Sequence, residues 1–457
     1  MTKTDALPQD HVPSGPPRVL VIGLGIAGLT AAIECHRRGC KVTGFEKKAS
    51  ATQLGDIIGL SGNSVRVLSA WSQQGISQFA DEDITCAVEA LELYDPAGSL
   101  RAAMPYNPAS PTQGYLFRRT GLLEKLYEQA MRDGIDLRFG VNVTRYWEDA
   151  GSAGVYIGEN DDKVVADCVI AADGFHSAAR KAFTSEKDTL QRDESIGAIM
   201  YRAIFDAREV AHLPEARWLL DKAPAADVLR SFYGKDCMFL TGTAARGRYI
   251  HWACALRGEQ AEQTSEAWMQ PASAQPVIDR LQTWPSPTGR ELAAVISATP
   301  ADACFNHTLF TKPPLRNWAS PKGRMVVIGD AAHPVLPFAG QGGNQAIEDA
   351  AVIAICLERA GRGKIPLALR VFEKLRHKRV SLIQAGSIEA KDTYLRASWD
   401  CADDADKPSG YLHQAWVYDH DCVAHAEAEF DIAAEAIESG RKYIPTNAPV
   451  DGQYRQG

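Results

Sequence analysis

The chain has 457 residues, which at roughly 150 residues per domain predicts two or three folding units. Its composition, 45% hydrophobic and 23% charged, is that of an ordinary globular protein and excludes collagen-like, disordered and disulfide-framework classes. The net charge is -8, whereas binding to the phosphates of a nucleic acid requires a basic surface, so we expect no nucleic-acid partner.

The ten cysteines are scattered, with no Cys-x-x-Cys pair, so we expect reduced thiols and no metal site. Residues 1–17 are polar and proline-rich, which predicts a flexible tail without a secretory signal. Apolar runs of about 18 residues are missing, so we expect no membrane contact and a cytoplasmic location. We also expect a monomer or a weak dimer.

The first elements have the pattern of a strand, a helix and a second strand. Val19–Ile22 is an apolar run of the kind that forms a strand buried on both faces of a parallel sheet. A helix is predicted over Leu29–Arg38, which Gly39 ends, and a second strand over Lys41–Phe45.

The loop between the first strand and its helix reads Gly-x-Gly-x-x-Gly. Its glycines Gly23, Gly25 and Gly28 allow the main chain to approach a pyrophosphate at the positive end of the helix. Glu46 ends the second strand and can accept hydrogen bonds from ribose hydroxyls. The pattern therefore predicts a dinucleotide site, with packing glycines in an ordinary turn as the alternative.

The rest of the chain leaves this pattern and returns to it. Ser195–Leu256 consists of short alternating segments rich in aromatic residues, which predicts an antiparallel sheet inserted into the first domain. Beyond about Ala385 we expect helices and a charged linker at Cys401–Pro408. The other predicted elements are a helix over Leu122–Arg132, strands over Asp136–Phe139, Val164–Ala171 and Met325–Gly329, and a long helix over Gln341–Ala360.

A second ligand-facing strand end indicates which dinucleotide is bound. Gly329-Asp330 ends a buried strand about 300 residues after the first site, and FAD is long enough to need both sites. Asp330 is predicted to hydrogen-bond the ribityl chain or to order water at the pyrophosphate. The start of the following helix is predicted to aim backbone N–H groups at the N1–C2=O edge of the flavin, through Gly340, Gly342, Gly343 and Asn344.

A third strand end carries Asp173-Gly174, followed by Arg180. With the Gly-x-Gly-x-x-Gly loop and Gly329-Asp330, it resembles the single-component class A flavoprotein monooxygenases of the para-hydroxybenzoate hydroxylase fold. Arg119, with Leu122 and Leu126, matches the start of a helix in that family. The three motifs follow in the family's order between about Arg18 and Ala385.

The resemblance implies an FAD that is reduced by NADPH or NADH and then reacts with O2. The C4a-hydroperoxide so formed delivers one oxygen atom to a small aromatic substrate. Cofactor contacts are implied for Lys47, Arg119 and Asp173, and for Pro337 near the flavin ring. The Gly55–Gly59 segment is implied to flank the flavin, with Gly59 as a cofactor contact.

Finer similarity points to fungal enzymes of the paraherquamide and notoamide type, which epoxidise the indole 2,3-bond of prenylated alkaloids. It lies in Gly197–Phe205, the strand with Trp252, and Trp416–Asp421. It implies an indole alkaloid substrate and a hydroxyindolenine or spiro-oxindole product. A phenol or salicylate hydroxylase is the alternative enzyme, and a degenerate flavoprotein that only binds ligands is the alternative from another class.

Strand alternation selects the residue we expect to be catalytic. Arg202 shares a face with Ala198, Met200 and Ile204, so a guanidinium lies among apolar neighbours. It is predicted to donate a hydrogen bond to the reacting oxygen or the substrate, with Tyr201 beside it. A salt-bridged structural arginine is the alternative. The predicted substrate-binding residues are Trp218, Phe232 and Trp252.

The predicted fold class is α/β. It comprises an FAD-binding Rossmann domain of glutathione-reductase-like topology, an inserted mixed β-sheet substrate domain and a helical C-terminal extension. The predicted limits are 18–194 for the first part of the FAD-binding domain, with a substrate-domain excursion near 83–112, then 195–315 for the substrate domain, 316–385 for the second part and 386–457 for the extension.

Overall fold

The computed structural model describes residues 15–50, 57–105, 114–183, 197–258, 270–396 and 414–455. Most of the predicted tail, the residues Gly55 and Asp56, and the predicted linker at 401–408 lie outside the described residues.

The strands lie in four sheets. In chain order they are β1 (Arg18–Ile22), β2 (Lys41–Glu46), β3 (Ile57–Leu60), β4 (Thr85–Cys86), β5 (Val88–Tyr94), β6 (Leu100–Pro105), β7 (Tyr115–Arg118), β8 (Asp136–Phe139), β9 (Val143–Glu148), β10 (Ala153–Ile157), β11 (Asp162–Ala166), β12 (Cys168–Ala171), β13 (Ala198–Asp206), β14 (Asp227–Gly234), β15 (Cys237–Ala244), β16 (Tyr249–Arg257), β17 (Gln270–Pro271), β18 (Cys304–Thr308) and β19 (Met325–Val327).

The α-helices in chain order are α1 (Ile26–Arg37), α2 (Gly62–Ser69), α3 (Arg119–Arg132), α4 (Ala178–Phe183), α5 (Arg208–Ala211), α6 (Gln275–Leu281), α7 (Thr288–Ser297), α8 (Gly342–Ala360), α9 (Ile365–Arg396), α10 (Ala415–Tyr418) and α11 (Cys422–Glu438). Short 3₁₀ turns at Gly329–Ala331 and Pro337–Ala339 lie between β19 and α8.

A five-stranded parallel sheet forms the nucleotide fold, in the order β19-β12-β1-β2-β8. Its central strands are apolar and mostly buried, as the sequence predicts for β1, because α1 and α8 cover the sheet and the strands β10 and β11 also pack against it. Strands β1, β12 and β19 are neighbours, so the three loops that follow them meet at one edge of the sheet. Ligands of open parallel sheets bind at that carboxyl edge.

The strand predicted over Val164–Ala171 is wrong as one element. The chain breaks at Asp167, with β11 in a three-stranded antiparallel sheet and β12 in the parallel sheet. Asp167 accepts hydrogen bonds from the backbone and side chain of Arg18 and from Arg362. A buried carboxylate with two arginine partners holds the chain where it changes sheets.

Two of the predicted helices start three residues later than the real ones, whereas the long helix predicted from Gln341 begins at Gly342. Helix α1 begins at Ile26 and α3 at Arg119, because the glycine loop already turns helical after Gly25 and the strand β7 runs straight into α3. Element limits are the least reliable part of a prediction from sequence pattern.

The large sheet contains eight strands in the order β17-β18-β13-β16-β15-β14-β5-β6. Its neighbours are antiparallel except for β14 and β5, which confirms the predicted mixed sheet. One face, here the outer face, is covered by α6 and α7. The other, here the inner face, packs against α9 and the turn at Pro337–Ala339, which lies at the carboxyl edge of the parallel sheet.

Helices α9, α10 and α11 form the C-terminal part, in which α9 and α11 pack against α8 and α10 joins the apolar cluster at the inner face. Helix α9 is continuous across residue 385, where the sequence suggested a boundary, and the domain limits stay a prediction. Among the described residues, none of the helices is both long enough and apolar enough to cross a membrane.

Candidate functional site

The loop after β1 contains two glycines where a side chain would collide with the protein and one where a side chain would find open space. Gly23 has a φ of +88°, and a Cβ at Gly28 would lie 1.7 Å from the carbonyl oxygen of Gly23. A Cβ at Gly25 would meet nothing within 4 Å. The first turn of α1 has no side-chain cap among the described residues. Its N–H groups and the open side of Gly25 therefore suit a phosphate group.

Glu46 braces this loop from the end of β2. Its Oε2 accepts a hydrogen bond from the backbone N of Leu24 at 2.8 Å, and Oε1 accepts one from the N of Lys48 at 3.0 Å. A carboxylate has about four acceptor positions, so Glu46 keeps capacity for ribose hydroxyls. Lys47 is exposed next to it.

Asp173, after β12, offers an acceptor that the protein leaves unused. Its Oδ2 accepts from Tyr146 Oη at 3.1 Å and from the backbone N of Ala178 and Ala179. Its Oδ1 is buried and has no hydrogen-bond partner among the residues that the structure describes. Such a group is costly unless a ligand or water supplies a donor.

The loop after β19 places Asp330 beside the start of α8. Gly329 has a φ of +58°, and its N donates to Asp349 Oδ2 at 3.0 Å, which turns Asp330 toward Gly342. Burial raises the pKa of Asp330, and Arg119 and His333 oppose that shift. The charge of Arg119 is thus close enough to act on Asp330, and its contact with a cofactor stays a prediction.

The start of α8 is open in the same way as the start of α1. Added Cβ atoms at Gly340 would meet nothing within 4 Å, and at Gly342 only Val335 O and Asp330 Oδ1, at 3.9 and 4.0 Å. Pro337 is exposed at the head of this loop. Gly343 is different, because a Cβ there would lie 2.8 Å from Ile58 Cδ1, so its role is close packing.

Asn344 ties this loop to β3. Its Nδ2 donates to the carbonyls of Gly59 at 3.0 Å and Gly340 at 2.7 Å, and its Oδ1 accepts from the N of Ser61 at 2.8 Å. The predicted cofactor residues Gly59, Gly340 and Asn344 are therefore brought together. The side chain of Asn344 therefore holds the loop against β3, whereas the sequence predicted that it would contact the cofactor.

A buried polar layer lies beneath α8. Glu348 accepts from Arg376 and from Arg379 Nη2 at 3.0 Å, and Asp349 accepts from Arg376 Nε at 2.8 Å. His333 Nε2 lies 2.5 Å from Asp349 Oδ2. Burial alone raises the pKa of both carboxyls, but the neighbouring cations outweigh it and hold the pKa of each below its usual range. His333 thus supports the turn.

These residues fit an FAD. Two helix N-termini with open glycines face the same edge, and a buried acceptor on Asp173 and the carboxylate of Asp330 lie between them. Gly25 and Glu46 would hold the adenosine half, and Asp330 with the start of α8 would hold the flavin half.

Arg202 lies on the inner face of the large sheet. It pairs with Phe305 on β18 and Ala253 on β16, and Met200 on the same face packs against Leu336 and Phe338 of the turn region. The side chain is half-buried. The predicted face of Ala198, Met200 and Arg202 is thus turned toward the loops that fit the flavin.

Tyr201 and the predicted substrate residues lie elsewhere. Tyr201, Phe232 and Trp252 are 4%, 5% and 1% exposed in the core of the outer face, and Trp252 Nε1 donates to Thr299 Oγ1 at 2.9 Å. Trp218 packs against that same core. The structure therefore separates the predicted catalytic residue Tyr201 and the predicted substrate residues Trp218, Phe232 and Trp252 from Arg202. Strand alternation turns Tyr201, Phe232 and Trp252 to the outer face, and Trp218 lies in a 3₁₀ turn that packs on that face.

Two buried cationic or titratable side chains near the site escaped the sequence reasoning. His307 lies beside Arg202, with Nε2 3.4 Å from Arg202 Nη2. Lys312 Nζ donates to the carbonyl of Phe175, which follows the Asp173-Gly174 turn, at 2.5 Å. His307 lies near Arg202 only because β18 pairs with β13. The local sequence around Phe305 and His307 does not indicate that pairing.

Comparisons with known proteins agree with this site. A family model described as an FAD binding domain matches residues 17–380. The chain is 58% identical to notoamide E oxidase of Aspergillus sp. (strain MF297-2), over 96% of this chain and 94% of that protein. It is 42% identical to an FAD-dependent monooxygenase of the same strain, over 94% and 96% of the two chains. The crystal structure of CtdE with FAD and a substrate is 38% identical, with a TM-score of 0.86, over 92% of this chain and 100% of that one.

Proposed function

Because this chain belongs to the FAD-binding-domain family of FAD-dependent monooxygenases, we propose that it transfers one oxygen atom from O2 to an indole alkaloid, with NADPH or NADH as electron donor. The predicted family, fold class, FAD cofactor and monooxygenase class are confirmed. Bound FAD supplies the redox chemistry, by accepting electrons from the pyridine nucleotide and activating O2. The substrate, the bond attacked and the electron donor are the proposal.

The observation that carries the proposal is the chemistry of the inner face. Half-buried apolar side chains, Ala253, Met238, Leu240 and Leu91, share this face with Arg202 on the strands that follow β13 across the sheet. An apolar wall with few polar contacts suits a large polycyclic ligand. We therefore propose these residues as the substrate wall, in place of Trp218, Phe232 and Trp252.

A second basic residue of the sheet points away from this wall. Arg230 Nε donates to Glu92 Oε2 at 2.8 Å, and its guanidinium lies 4.9 Å from the ring of Trp218, on the outer face. It is therefore unsuited to hold a substrate carboxylate beside Arg202. This arrangement favours a neutral alkaloid over salicylate. The relative named notoamide E oxidase supports the same substrate class.

In this proposal Arg202 donates a hydrogen bond to the oxygen atom that gains negative charge while the indole 2,3-epoxide forms and opens. The apolar wall holds the indole plane against the flavin loops and excludes water. Opening of the epoxide gives a 3-hydroxyindolenine, or a spiro-oxindole after migration.

The proposal is tested by incubating the holoenzyme with O2 and either NADPH or NADH, together with a prenylated indole alkaloid or salicylate. We expect an indole product that carries one oxygen atom from labelled O2. Enzyme stripped of FAD is the control. Oxygenation of salicylate alone would contradict the proposal and favour a phenol or salicylate hydroxylase.

Arg202→Met tests the role of the guanidinium. Removing one hydrogen-bond donor to a developing oxyanion typically costs about 10²–10³-fold in rate. We expect FAD content and flavin reduction near normal, with less product and more hydrogen peroxide. Arg230→Met, on the opposite face of the same sheet, is the matched control and should stay coupled. A well-coupled Arg202→Met enzyme would refute the role.

A further inference from the structure

His307 and Arg202 face the substrate wall from neighbouring strands. Strand pairing sets Arg202 opposite Phe305 and Met200 opposite His307, so both polar side chains lie on the inner face. His307 is 8% exposed, and its Nε2 lies 3.4 Å from Arg202 Nη2, at the long end of hydrogen-bonding distances.

The chemistry of the pair determines which atom accepts. Arginine has donors only, so His307 Nε2 must accept from Arg202 and the ring proton lies on Nδ1. Burial, and next the charge of Arg202, lower the pKa of His307 to about 3, so the ring is neutral at neutral pH. A neutral ring nitrogen can therefore orient the guanidinium without placing a negative charge at this contact, as a carboxylate would.

We propose that His307 is a positioning residue that holds the Arg202 guanidinium toward the reacting oxygen through a neutral acceptor. This inference rests on the proposed function of Arg202. It assigns to β18, which carries none of the sequence motifs, a part in coupling flavin oxidation to product formation.

Three substitutions of His307 separate positioning from packing. His307→Gln places an amide oxygen close to where Nε2 lies, His307→Asn places it one bond short, and His307→Leu keeps apolar bulk without an acceptor. We expect the product formed per NADPH consumed to fall about fivefold or more in the Leu and Asn variants, and to stay within about twofold in the Gln variant, because a lost hydrogen bond is worth about a factor of ten. Asn306→Ala, next to it on the other face, is the matched control and should stay coupled.

A double substitution distinguishes an effect through Arg202 from an independent one. Adding His307→Leu to Arg202→Met should change coupling no further, because the positioned group is already gone. An additional loss in the double variant, or full coupling in the His307→Leu and His307→Asn variants, would overturn the inference. A well-coupled Arg202→Met enzyme would instead overturn the proposed role of Arg202.

A second readout needs neither FAD nor a substrate. In protein labelled with ¹⁵N-histidine, the resonances that His307→Gln removes should report the Nδ1–H tautomer and a neutral ring down to about pH 5, two pH units above its pKa of about 3. Arg202→Met should shift them and raise the pKa. An Nε2–H tautomer, or no response to Arg202→Met, would contradict the pairing even if the Leu variant fails to fold.

Discussion

At the residue scale, Gly25 and Gly28 lie three positions apart in one loop but have opposite surroundings. A Cβ at Gly28 would collide with the main chain of Gly23, whereas a Cβ at Gly25 would point into open space. Gly25 has a φ of -76°, which any residue can adopt. Gly28 is therefore needed for the fold, and Gly25 for the ligand.

The same substitution at the two positions should give opposite results. Gly25→Val should leave the melting temperature of the FAD-free protein unchanged and weaken FAD binding at least about tenfold, roughly 1.4 kcal/mol. Gly28→Val should destabilise the protein by about 3 kcal/mol or more, because the overpacked contact is with backbone. Flavin titration and thermal unfolding measure the two effects. Wild-type FAD affinity in Gly25→Val would contradict the assignment of the phosphate site.

The glycines, Glu46 and Asp330 could be predicted because their spacing within a strand, turn and helix carries the chemistry locally. The prediction that Tyr201 lies beside Arg202 in the site is wrong. Residues alternate between the two faces of a strand, so Tyr201 and Arg202 point to opposite faces. His307 was missed because its partner is 105 residues away in the chain. Strand pairing at that distance leaves no mark in local sequence.

At the element scale, a buried layer of charge joins α8 to α9. Glu348 and Asp349 are consecutive on α8, and Arg376 and Arg379 are three positions apart on α9, so both arginines face the carboxylates. All four side chains are at most 1% exposed. The layer fixes α8 to α9 six to seven residues after α8 begins at Gly342.

Arg376→Met should destabilise the protein by about 3–5 kcal/mol, because it removes the buried cation that Glu348 and Asp349 share and leaves Arg379 beside Glu348 alone. Arg370→Met, at an exposed position of the same helix, is the control and should change the free energy of unfolding by less than about 0.5 kcal/mol. Urea unfolding measures both. Equal stabilities would show that the buried pairs contribute nothing.

The same layer predicts how stability depends on pH. The pKa values of Glu348 and Asp349 are held below their ordinary values, so their contribution is complete above about pH 4, the ordinary pKa of a carboxyl group, and is lost as pH falls through the lower folded values. The melting temperature of the wild type should therefore drop between about pH 4 and 2. In Arg376→Met the drop should be smaller, and an equal drop would contradict the pairing.

Of the elements, the helices and the buried strands could be predicted from apolar periodicity and from glycine positions. The break at Asp167 could not, because it depends on Arg18 and Arg362, which approach from distant parts of the chain. Asp167 interrupts an otherwise apolar run from Val164 to Ala171, but a single polar residue does not by itself mark the end of a strand.

At the scale of the whole molecule, the C-terminal part holds the flavin loop. Arg379 donates to the carbonyls of Trp416 at 2.6 Å and Val417 at 2.8 Å, and Tyr418 Oη donates to the carbonyl of Ala339 at 3.2 Å. The segment after α9 therefore reaches back to the turn that precedes Gly340. The sequence does not predict where the segment after α9 packs. It does predict that the three motif loops meet, because the motifs follow one another in the family's order.

Tyr418→Phe should weaken FAD binding about fivefold, because losing one neutral hydrogen bond costs about 1 kcal/mol and loosens the Ala339 turn. Tyr443→Phe is the control, since its Oη donates to Glu429 at 2.8 Å between α11 and the chain after it. Flavin titration of both FAD-free variants measures the effect. An equal loss in the two variants would mean that the C-terminal part acts on overall stability alone.

The central claim is that oxygen transfer takes place between the three motif loops and the inner face that carries Arg202. A crystal structure of the holoenzyme with a prenylated indole alkaloid tests it most directly. We expect FAD along Gly25, Asp173 and Asp330, and the indole ring against Met238 and Leu240 with Arg202 directed toward its 2,3-bond. An alkaloid bound on the outer face, beside Trp218 and Arg230, would contradict the account.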